Sequence, residues 1–211
     1  MLKCNDNLKE NQHGFRSGKS CLTQLIPFVD KLAHALNNQS RIDIIYFDFA
    51  KAFDTVNHDL ILRKLKQNFG VDGLLLQFLK NYLQDRQQQV VINGSVSNSL
   101  PVHSGVPQGS ILGPLLFILF IDDISEKVSE GTNLVLYADD TKIWREITCE
   151  NDQVILQKDI DNLYNWSITN KMHFHPDKCK VGRVKNKFTD YDLPFYEFWY
   201  TLNGVILEYE I

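Results

Sequence analysis

Apolar residues recur along this chain with two different periods, one helical and one typical of strands. Helical spacing predicts amphipathic helices over about 22–36, 59–69, 72–84 and 152–169. The apolar faces of the first, third and fourth are Leu22, Leu25, Ile26, Val29, Leu32 and Leu36; Leu75, Phe78, Leu79 and Tyr82; and Leu156, Ile160, Leu163 and Trp166. Residues 42–49 alternate as a strand does, and the apolar segments 134–136 and 143–144 each predict a short strand. Asn-Gly pairs at 93–94 and 203–204 predict hairpins, because Asn-Gly favours the type I′ turn. The mixture of helices and hairpins indicates an α+β fold.

Two adjacent carboxylates, Asp139 and Asp140, lie between the short strands, so the pattern places both at the tip of a hairpin. Adjacent carboxylates repel by a few kcal/mol at an effective dielectric of about 20, and a cation usually offsets that cost. Asp48 ends an otherwise apolar strand, where a carboxylate is costly unless it is paired or metal-bound. If these strands are neighbours, the carboxylates converge, and oxygen ligands select Mg²⁺ or Mn²⁺. The alternative for Asp-Asp alone is an ordinary solvated turn.

Two glycine-containing loops have the composition of phosphate-binding or nucleotide-binding segments. The first, 14–20, carries two cations, but its glycines are too close for G-x-x-x-x-G-K-[ST], which argues against a P-loop. The second, 104–110, precedes a helix, and backbone N–H groups at a helix N-terminus suit an anion. Gln108 is a neutral donor and acceptor held in this second loop. The alternative for each segment is a plain structural turn.

Composition narrows the class of protein. The chain has 211 residues with 44% hydrophobic content, which suffices for one domain with a buried core. Its net charge of −4 argues mildly against a nucleic-acid binder, although net charge averages over acidic and basic regions. The four cysteines form no C-x-x-C and follow no signal peptide, which indicates reduced thiols inside a cell. The apolar run 111–121 is far shorter than the roughly 20 residues that span a bilayer.

Four blocks of sequence together resemble one family. They occur in the family's order at 12–20, 47–54, 105–114 and 137–140, and a looser fifth block surrounds Trp166, Asn170, Lys178 and Cys179. With these blocks the chain resembles the reverse transcriptase domain of non-LTR (LINE-type) retrotransposons, in the group that includes jockey and CR1-like elements. An unrelated two-metal phosphotransferase would not account for the third block.

The resemblance implies a right-hand polymerase palm, which is an antiparallel sheet backed by helices. It divides this single, truncated domain of 1–211 into partial fingers at 12–41, a palm at 42–182, and a final segment at 183–211. That last segment is expected to be a loop followed by the start of the hairpin before the primer grip, without a thumb.

The resemblance also implies a site for two metal ions. By matching motif position, Asp48 and Asp139 would hold two Mg²⁺ ions, for which Mn²⁺ is a possible substitute, and Asp140 would assist. Phe49 would contribute its backbone carbonyl. A zinc site at His173, His175 and Cys179 is a weak alternative, because no fourth ligand is evident.

Four further residues match nucleotide-binding or acid–base positions of the family. Phe53 would exclude the 2′-hydroxyl of ribonucleotides, and its alternative is a core residue. Gln108 would contact the incoming nucleotide and the template, and Arg16 would reach the triphosphate. Lys178 would protonate the departing pyrophosphate, with a plain surface lysine as its alternative.

The implied activity is RNA-directed DNA polymerisation, with an RNA template, a DNA primer and deoxynucleoside triphosphates as partners and no membrane association. The nucleus or cytoplasm is the expected location, although no targeting signal decides between them. Because the expected flanking regions are missing and His175 stands where relatives usually have Asn, a second reading stays open. In that reading the chain is a catalytically inactive retroelement fragment or an adapted nucleic-acid-binding module.

Overall fold

A computed structural model describes residues 8–185 and 198–210 of the chain. Its strands, in chain order, are β1 (Arg41–Phe47), β2 (Arg86–Gln88), β3 (Val91–Ile92), β4 (Ser95–Val96), β5 (Leu100–Val102), β6 (Asn133–Tyr137), β7 (Asp140–Ile147), β8 (Lys180–Val184), β9 (Thr201–Leu202), β10 (Val205–Ile206) and β11 (Glu208–Glu210). Its α-helices are α1 (Cys21–Asn37), α2 (Ala52–Thr55), α3 (His58–Phe69), α4 (Gly73–Leu83), α5 (Leu112–Ile121) and α6 (Glu150–Thr169). Two 3₁₀ helices cover Asp122–Lys127 and Pro176–Lys178.

The central sheet has five strands in the order β11-β8-β1-β7-β6. β1 pairs antiparallel with both β7 and β8, and β6 pairs antiparallel with β7. These pairings confirm the predicted antiparallel sheet. The edge strand β11 differs, because it runs parallel to β8. Both Asn-Gly hairpins also form, and all four turn residues have positive φ as the type I′ turn requires.

Local signals in the sequence set the helix boundaries. The side chain of Asn57 accepts a hydrogen bond from the amide of Leu60 at 3.0 Å and so caps α3. Gly70, with φ of 64°, ends the same helix in the left-handed conformation. The 20-residue α6 buries the predicted face of Leu156, Ile160, Leu163 and Trp166.

Two apolar clusters cover the two faces of the sheet. The larger one joins α3 to α6 with one face of β1, represented by Ile45 and Phe47. The smaller one places α1 on the other face, where Phe28 contacts Trp144 edge-on with ring centroids 5.0 Å apart. Alternation along β1 therefore sends successive side chains to two different cores.

Three expectations from apolar spacing need correction or lie outside the described residues. The stripe of α1 is largely exposed at Leu22, Leu25, Ile26 and Val29, because α1 meets the sheet through Phe28 and Ala35 instead. Phe78 of α4, expected to be buried, is 54% exposed, while Leu79 and Leu83 are buried. Of the loop expected at 183–199, the first two residues belong to β8 and 186–197 lie outside the described residues.

Candidate active site

The pairing of β1 with β7 brings Asp48 and Asp140 to the same edge of the sheet. The last pair in this register is Phe47 with Thr141, so Asp48 follows one strand where Asp140 begins the other. Both residues line a cleft of about 320 Å³ with Lys178 and Lys142. The register therefore brings Asp48 and Asp140 together, and the convergence of Asp48 with Asp139 stays a prediction.

A tight turn carries Asp139. Tyr137 and Asp140 form the last pair of β6 and β7, which leaves Ala138 and Asp139 as the connection. Ala138 is buried and has φ of 57°, a conformation that is uncommon for residues other than glycine. The hairpin with both carboxylates at its tip, predicted from the sequence, is thus formed.

The edge of the sheet holds an excess of negative charge. Burial raises the pKa of Asp140, and the negative charges of Asp139 and Asp48 raise it further. The Nζ of Lys178 lies 3.6 Å from Oδ1 of Asp48. Both side chains of this pair are well exposed, at 59% for Lys178 and 40% for Asp48, so the contact is weak.

The donor chemistry at this edge fits a divalent cation. Carboxylate oxygens are the ligands that Mg²⁺ and Mn²⁺ prefer, and a cation would relieve the repulsion that raises the pKa of Asp140. In the described part of the chain, no three His, Cys, Asp or Glu side chains are grouped closely enough to hold a metal ion as they stand. The carboxylates are therefore neighbours, but they are not close enough together to bind a metal ion as they stand.

The segment after Asp48 is held by the chain near residue 174. The amide of His175 donates to the backbone carbonyl of Asp48 at 2.8 Å, and the amide of Ala50 donates to the carbonyl of His173 at 2.8 Å. The ring of Phe49 is buried and stacks on Phe174 with centroids 4.3 Å apart. These contacts fix the backbone on both sides of Phe49, whose carbonyl is an expected metal ligand.

Phe53 lies at the border between core and surface. Its ring stacks on Phe117 at a centroid distance of 4.2 Å and meets the edge of Phe15 at 6.2 Å. Phe117 is completely buried, whereas Phe15 is 58% exposed. Phe53 thus packs against the core, as its alternative interpretation holds, and also contacts an exposed ring.

Gln108 belongs to a second cleft, of about 700 Å³, which it lines together with Asp54, Lys51 and Arg86. Its Nε2 donates to Oδ1 of Asp54 at 2.8 Å. A Cβ added at Gly105 would lie 2.9 Å from the backbone of Asp54, so the loop before α5 closely contacts the segment after β1. The structure therefore places Gln108 beside the Phe53 segment, in a different cleft from Asp48 and Asp140.

The structure does not bring Arg16 to either cleft. Its side chain is only 6% exposed, and its guanidinium donates to the backbone carbonyls of Lys9 and Gln12. The carboxylate of Glu10 lies 3.6 Å away. The expected contact with a triphosphate would require Arg16 to leave these partners.

Sequence reasoning assigned no role to Gln12, although the structure places it against the carboxylate hairpin. Its side chain is completely buried and bonds the backbone of Ala138. Gln12 is the first residue of the block at 12–20, but nothing local in the sequence signals this contact, because its partner is 126 positions away.

Comparison with known proteins agrees with the geometry. The family described as reverse transcriptase (RNA-dependent DNA polymerase) matches residues 1–192, and the chain belongs to this family. It is 31% identical over 166 residues to the probable RNA-directed DNA polymerase from transposon BS of Drosophila melanogaster, covering 75% of this chain and 18% of that protein. It is 30% identical over 199 residues to the RNA-directed DNA polymerase from mobile element jockey of the same organism, covering 89% and 21% respectively. The chain thus spans about a fifth of the length of these relatives, and the resemblance to non-LTR elements is confirmed.

Solved structures with the same fold include two telomerases. The apo telomerase of Candida tropicalis, truncated from its C-terminal domain, matches with a TM-score of 0.62 and 12% identity over 82% of this chain and 36% of that chain. The telomerase of Candida albicans in complex with a fragment of telomeric RNA matches with a TM-score of 0.61 and 14% identity over 89% and 34%. At these identities the likeness concerns the fold, and it confirms the palm-type α+β class. Among the described helices, none is both long and apolar enough to cross a bilayer.

Proposed function

We propose that this chain is the palm of an RNA-directed DNA polymerase that adds deoxynucleotides to a primer 3′-hydroxyl under the direction of an RNA template. The observation that carries the proposal is the position of Asp48 across from the Asp139-Asp140 turn, at one edge of the sheet of a reverse transcriptase family member. Its partners are an RNA template, a DNA primer and deoxynucleoside triphosphates, and its compartment is the nucleus or the cytoplasm.

Two Mg²⁺ ions, or Mn²⁺ in their place, are the proposed cofactors. Asp48 and Asp139 hold them, with Asp140 and the backbone carbonyl of Phe49 assisting. When bound, such ions would supply the activation of the 3′-hydroxyl and the stabilisation of the leaving pyrophosphate that in-line displacement needs. The support is the donor set of three carboxylates and the raised pKa of Asp140, which has burial as its first cause and the charges of Asp139 and Asp48 as its second; a cation would reduce that repulsion.

Three side chains contribute selection and proton transfer in this proposal. Phe53, held by Phe117 behind it, occupies the space that a ribonucleotide 2′-hydroxyl would need. Gln108, whose amide is oriented by Asp54, contacts the incoming nucleotide and the template. Lys178 lies close enough to the carboxylates to protonate the departing pyrophosphate.

Arg16 is the least supported member of the proposed site. Its role at the triphosphate rests on the family motif alone, because the structure buries its guanidinium against backbone carbonyls. Binding of a triphosphate would have to draw the side chain out of this position.

Primer extension tests the proposal directly. Wild-type protein is incubated with a poly(rA) template, an oligo(dT) primer, labelled dTTP and Mg²⁺ or Mn²⁺. Loss of a metal ligand removes several kcal/mol of transition-state stabilisation, so we expect Asp139→Asn to lower incorporation by about 100-fold or more. Asp161→Asn, an exposed change on α6, is the matched control and should retain wild-type incorporation. Folded wild-type protein that incorporates no dTTP would contradict the proposal for this chain.

One observation favours the second reading, a catalytically inactive fragment or an adapted nucleic-acid-binding module. Arg16 is turned away from the clefts, and the carboxylates of the described residues are not grouped as a ligand set. This reading predicts that the wild type fails in primer extension yet binds a labelled poly(rA)·oligo(dT) duplex, with an affinity that Asp139→Asn leaves unchanged.

A further inference from the structure

The side chain of Gln12 is bonded to the turn that carries Asp139. Its Oε1 accepts from the amides of Gly14 at 2.7 Å and Ala138 at 3.0 Å, and its Nε2 donates to the carbonyl of Ala138 at 3.2 Å. The residue is completely buried. One side chain therefore occupies both backbone polar groups of Ala138.

Ala138 needs this support because of its conformation. Its φ of 57° lies in the left-handed region, which residues other than glycine seldom adopt without compensation from their surroundings. A buried amide or carbonyl without a partner is costly, so the groups that Gln12 satisfies would drive the turn to rearrange if the side chain were removed. Any rearrangement at Ala138 changes the direction of the following residue, Asp139.

The backbone around Gln12 is also joined to the hairpin. Leu136 donates its amide to the carbonyl of Asn11 at 2.8 Å and accepts from the amide of His13 at 2.8 Å, which extends the sheet beyond β6. A Cβ at Gly14 would lie 2.3 Å from the nitrogen of Ala138, so only glycine fits there. Residues 11–14 thus form a clamp on the end of the hairpin.

The same segment of the chain also leads to Phe53. Phe15, directly after this clamp, lies edge-on to Phe53. The chain from Gln12 to Phe15 therefore contacts the carboxylate turn at one end and the proposed sugar-selecting ring at the other.

We propose that Gln12 is a positioning residue of the active site: it holds Ala138 in the left-handed conformation and thereby sets the direction in which the Asp139 carboxylate points. The catalytic meaning of this inference rests on the proposed polymerase function. The physical statement, that Gln12 fixes the turn and the cation-binding carboxylate beside it, can be tested without turnover.

Hydrogen exchange on the whole chain is the first measurement. Three variants are compared with the wild type: Gln12→Ala removes all three bonds, Gln12→Met removes them while keeping volume, and Gln12→Glu keeps an acceptor for both amides. We expect the Ala138 amide to exchange about 10-fold faster or more in the first two, because the bond that protects it is gone. Gln12→Glu should retain most of the protection, which keeps the test decisive if the other variants fold poorly.

Gln153→Ala is the matched control. Gln153 is also a buried glutamine, but it lies in the first turns of α6, beyond the far end of β7. It loses the same atoms without touching the turn, so exchange at Ala138 should stay at the wild-type rate. Equal acceleration in the control would mean that general destabilisation, and not Gln12, governs the turn, and this would overturn the inference.

Mn²⁺ affinity, measured by water proton relaxation, is the second readout. Removing a group that orients a metal ligand typically weakens binding by about 10- to 100-fold, and we expect at least the lower value for Gln12→Met. Unchanged exchange, unchanged affinity, or a wild type that binds no Mn²⁺ would each overturn the inference. Failure of the proposed function looks different: wild-type protein would bind Mn²⁺, lose that binding in Gln12→Met, and still extend no primer.

Discussion

Two regions of the central sheet contain aspartates, and the burial and hydrogen bonding of the carboxylate differ between them. Asp43, inside β1, is completely buried and accepts hydrogen bonds from Arg183 at 2.9 and 3.2 Å and from the hydroxyl of Tyr200 at 2.8 Å. Arg41 adds an ion pair at 3.1 Å. Asp48, just after the same strand, has a 40% exposed side chain, and its ion pair with Lys178 is long, at 3.6 Å.

The difference separates structural carboxylates from those left available to a ligand. Asp152, near the far end of β7, is satisfied like Asp43, with bonds from Arg145 and from both the amide and the hydroxyl of Thr148. Asp140, at the near end of β7, has like charges as neighbours instead. At one end of the hairpin the carboxylate is therefore satisfied by hydrogen bonds within the protein, and at the other end burial and neighbouring carboxylates raise the pKa of Asp140.

The largest expected effect is at the buried network. Asp43→Asn leaves the guanidinium of Arg183 without its counter-charge in the interior, and breaking a buried pair in this way costs about 3–5 kcal/mol. Urea unfolding should show this loss with an unchanged m-value. The exposed change Asp161→Asn should stay within about 0.5 kcal/mol of the wild type. A loss below about 1 kcal/mol in Asp43→Asn would contradict the contrast between the two regions.

The sequence predicts features that depend on neighbouring residues, and it does not predict contacts between residues that are far apart in the chain. The Asp139-Asp140 hairpin depends on neighbouring residues, so pattern and turn chemistry were enough to predict it. Asp43 was not singled out, because its partners Arg183 and Tyr200 lie 140 and 157 positions away. Gln12 was missed for the same reason. Only the assembled sheet brings such residues together.

Helical period has a similar limit. It correctly predicted α1, but a period identifies an apolar stripe without identifying the surface that covers it. The sheet meets this helix through Phe28, and the stripe that includes Leu22 and Ile26 remains exposed in the described part of the chain. For Arg16, motif position predicted a chemical role, yet the side chain lies among backbone carbonyls that no motif encodes.

The second prediction concerns acid sensitivity at Asp152. Burial raises its pKa, but hydrogen bonds from Thr148, Arg145 and Cys149 outweigh burial and lower the pKa to about 2. Because the folded pKa lies below the unfolded value of about 3.9, Asp152 contributes about 2–3 kcal/mol at neutral pH, and this is lost as pH falls toward 2. Asp152→Asn should remove that contribution.

Urea unfolding between pH 7 and pH 2 measures it. The variant should be less stable at pH 7 and should approach the wild type near pH 2, where Asp152 is protonated in about half of the folded wild-type molecules. A constant difference across this range would mean that the hydrogen-bonded charge is not the cause.

The third prediction has the opposite sign, at Asp140. Burial and the charges of Asp139 and Asp48 raise its pKa above the unfolded value, so the folded protein takes up this proton first as pH falls. The charged form therefore opposes folding at neutral pH. Asp140→Asn should gain about 0.5 kcal/mol at pH 7, a small value because exposure screens the repulsion.

The gain in Asp140→Asn should shrink as pH falls through the raised pKa, where wild-type Asp140 also becomes neutral. Thermal or urea unfolding at pH 7 and pH 4 would show it. A clear loss of stability at pH 7 would place Asp140 with the structural carboxylates and remove the contrast.

The smallest change in the free energy of unfolding is expected at Lys178, and its size tests whether Asp48 is available to bind a cation. Exposed ion pairs contribute about 0–1 kcal/mol, and the 3.6 Å pair with Asp48 belongs at the low end, so Lys178→Gln should cost less than about 0.5 kcal/mol.

Lys64→Gln is the matched change in the interior. Lys64 is only 12% exposed on its side chain and donates to Asp123 at 2.7 Å and to the carbonyl of Phe120 at 2.9 Å. Its removal takes one donor from each acceptor, although the indole of Trp166 still donates to Asp123 at 2.9 Å, and should cost about 1–3 kcal/mol in the same urea experiment. Equal losses for the two lysines would mean that Asp48 is already satisfied by Lys178. A near-zero loss at Lys178 alone would show that this lysine can leave Asp48 at little cost. The proposed site requires this, because Asp48 would bind a cation and Lys178 would move to the leaving pyrophosphate.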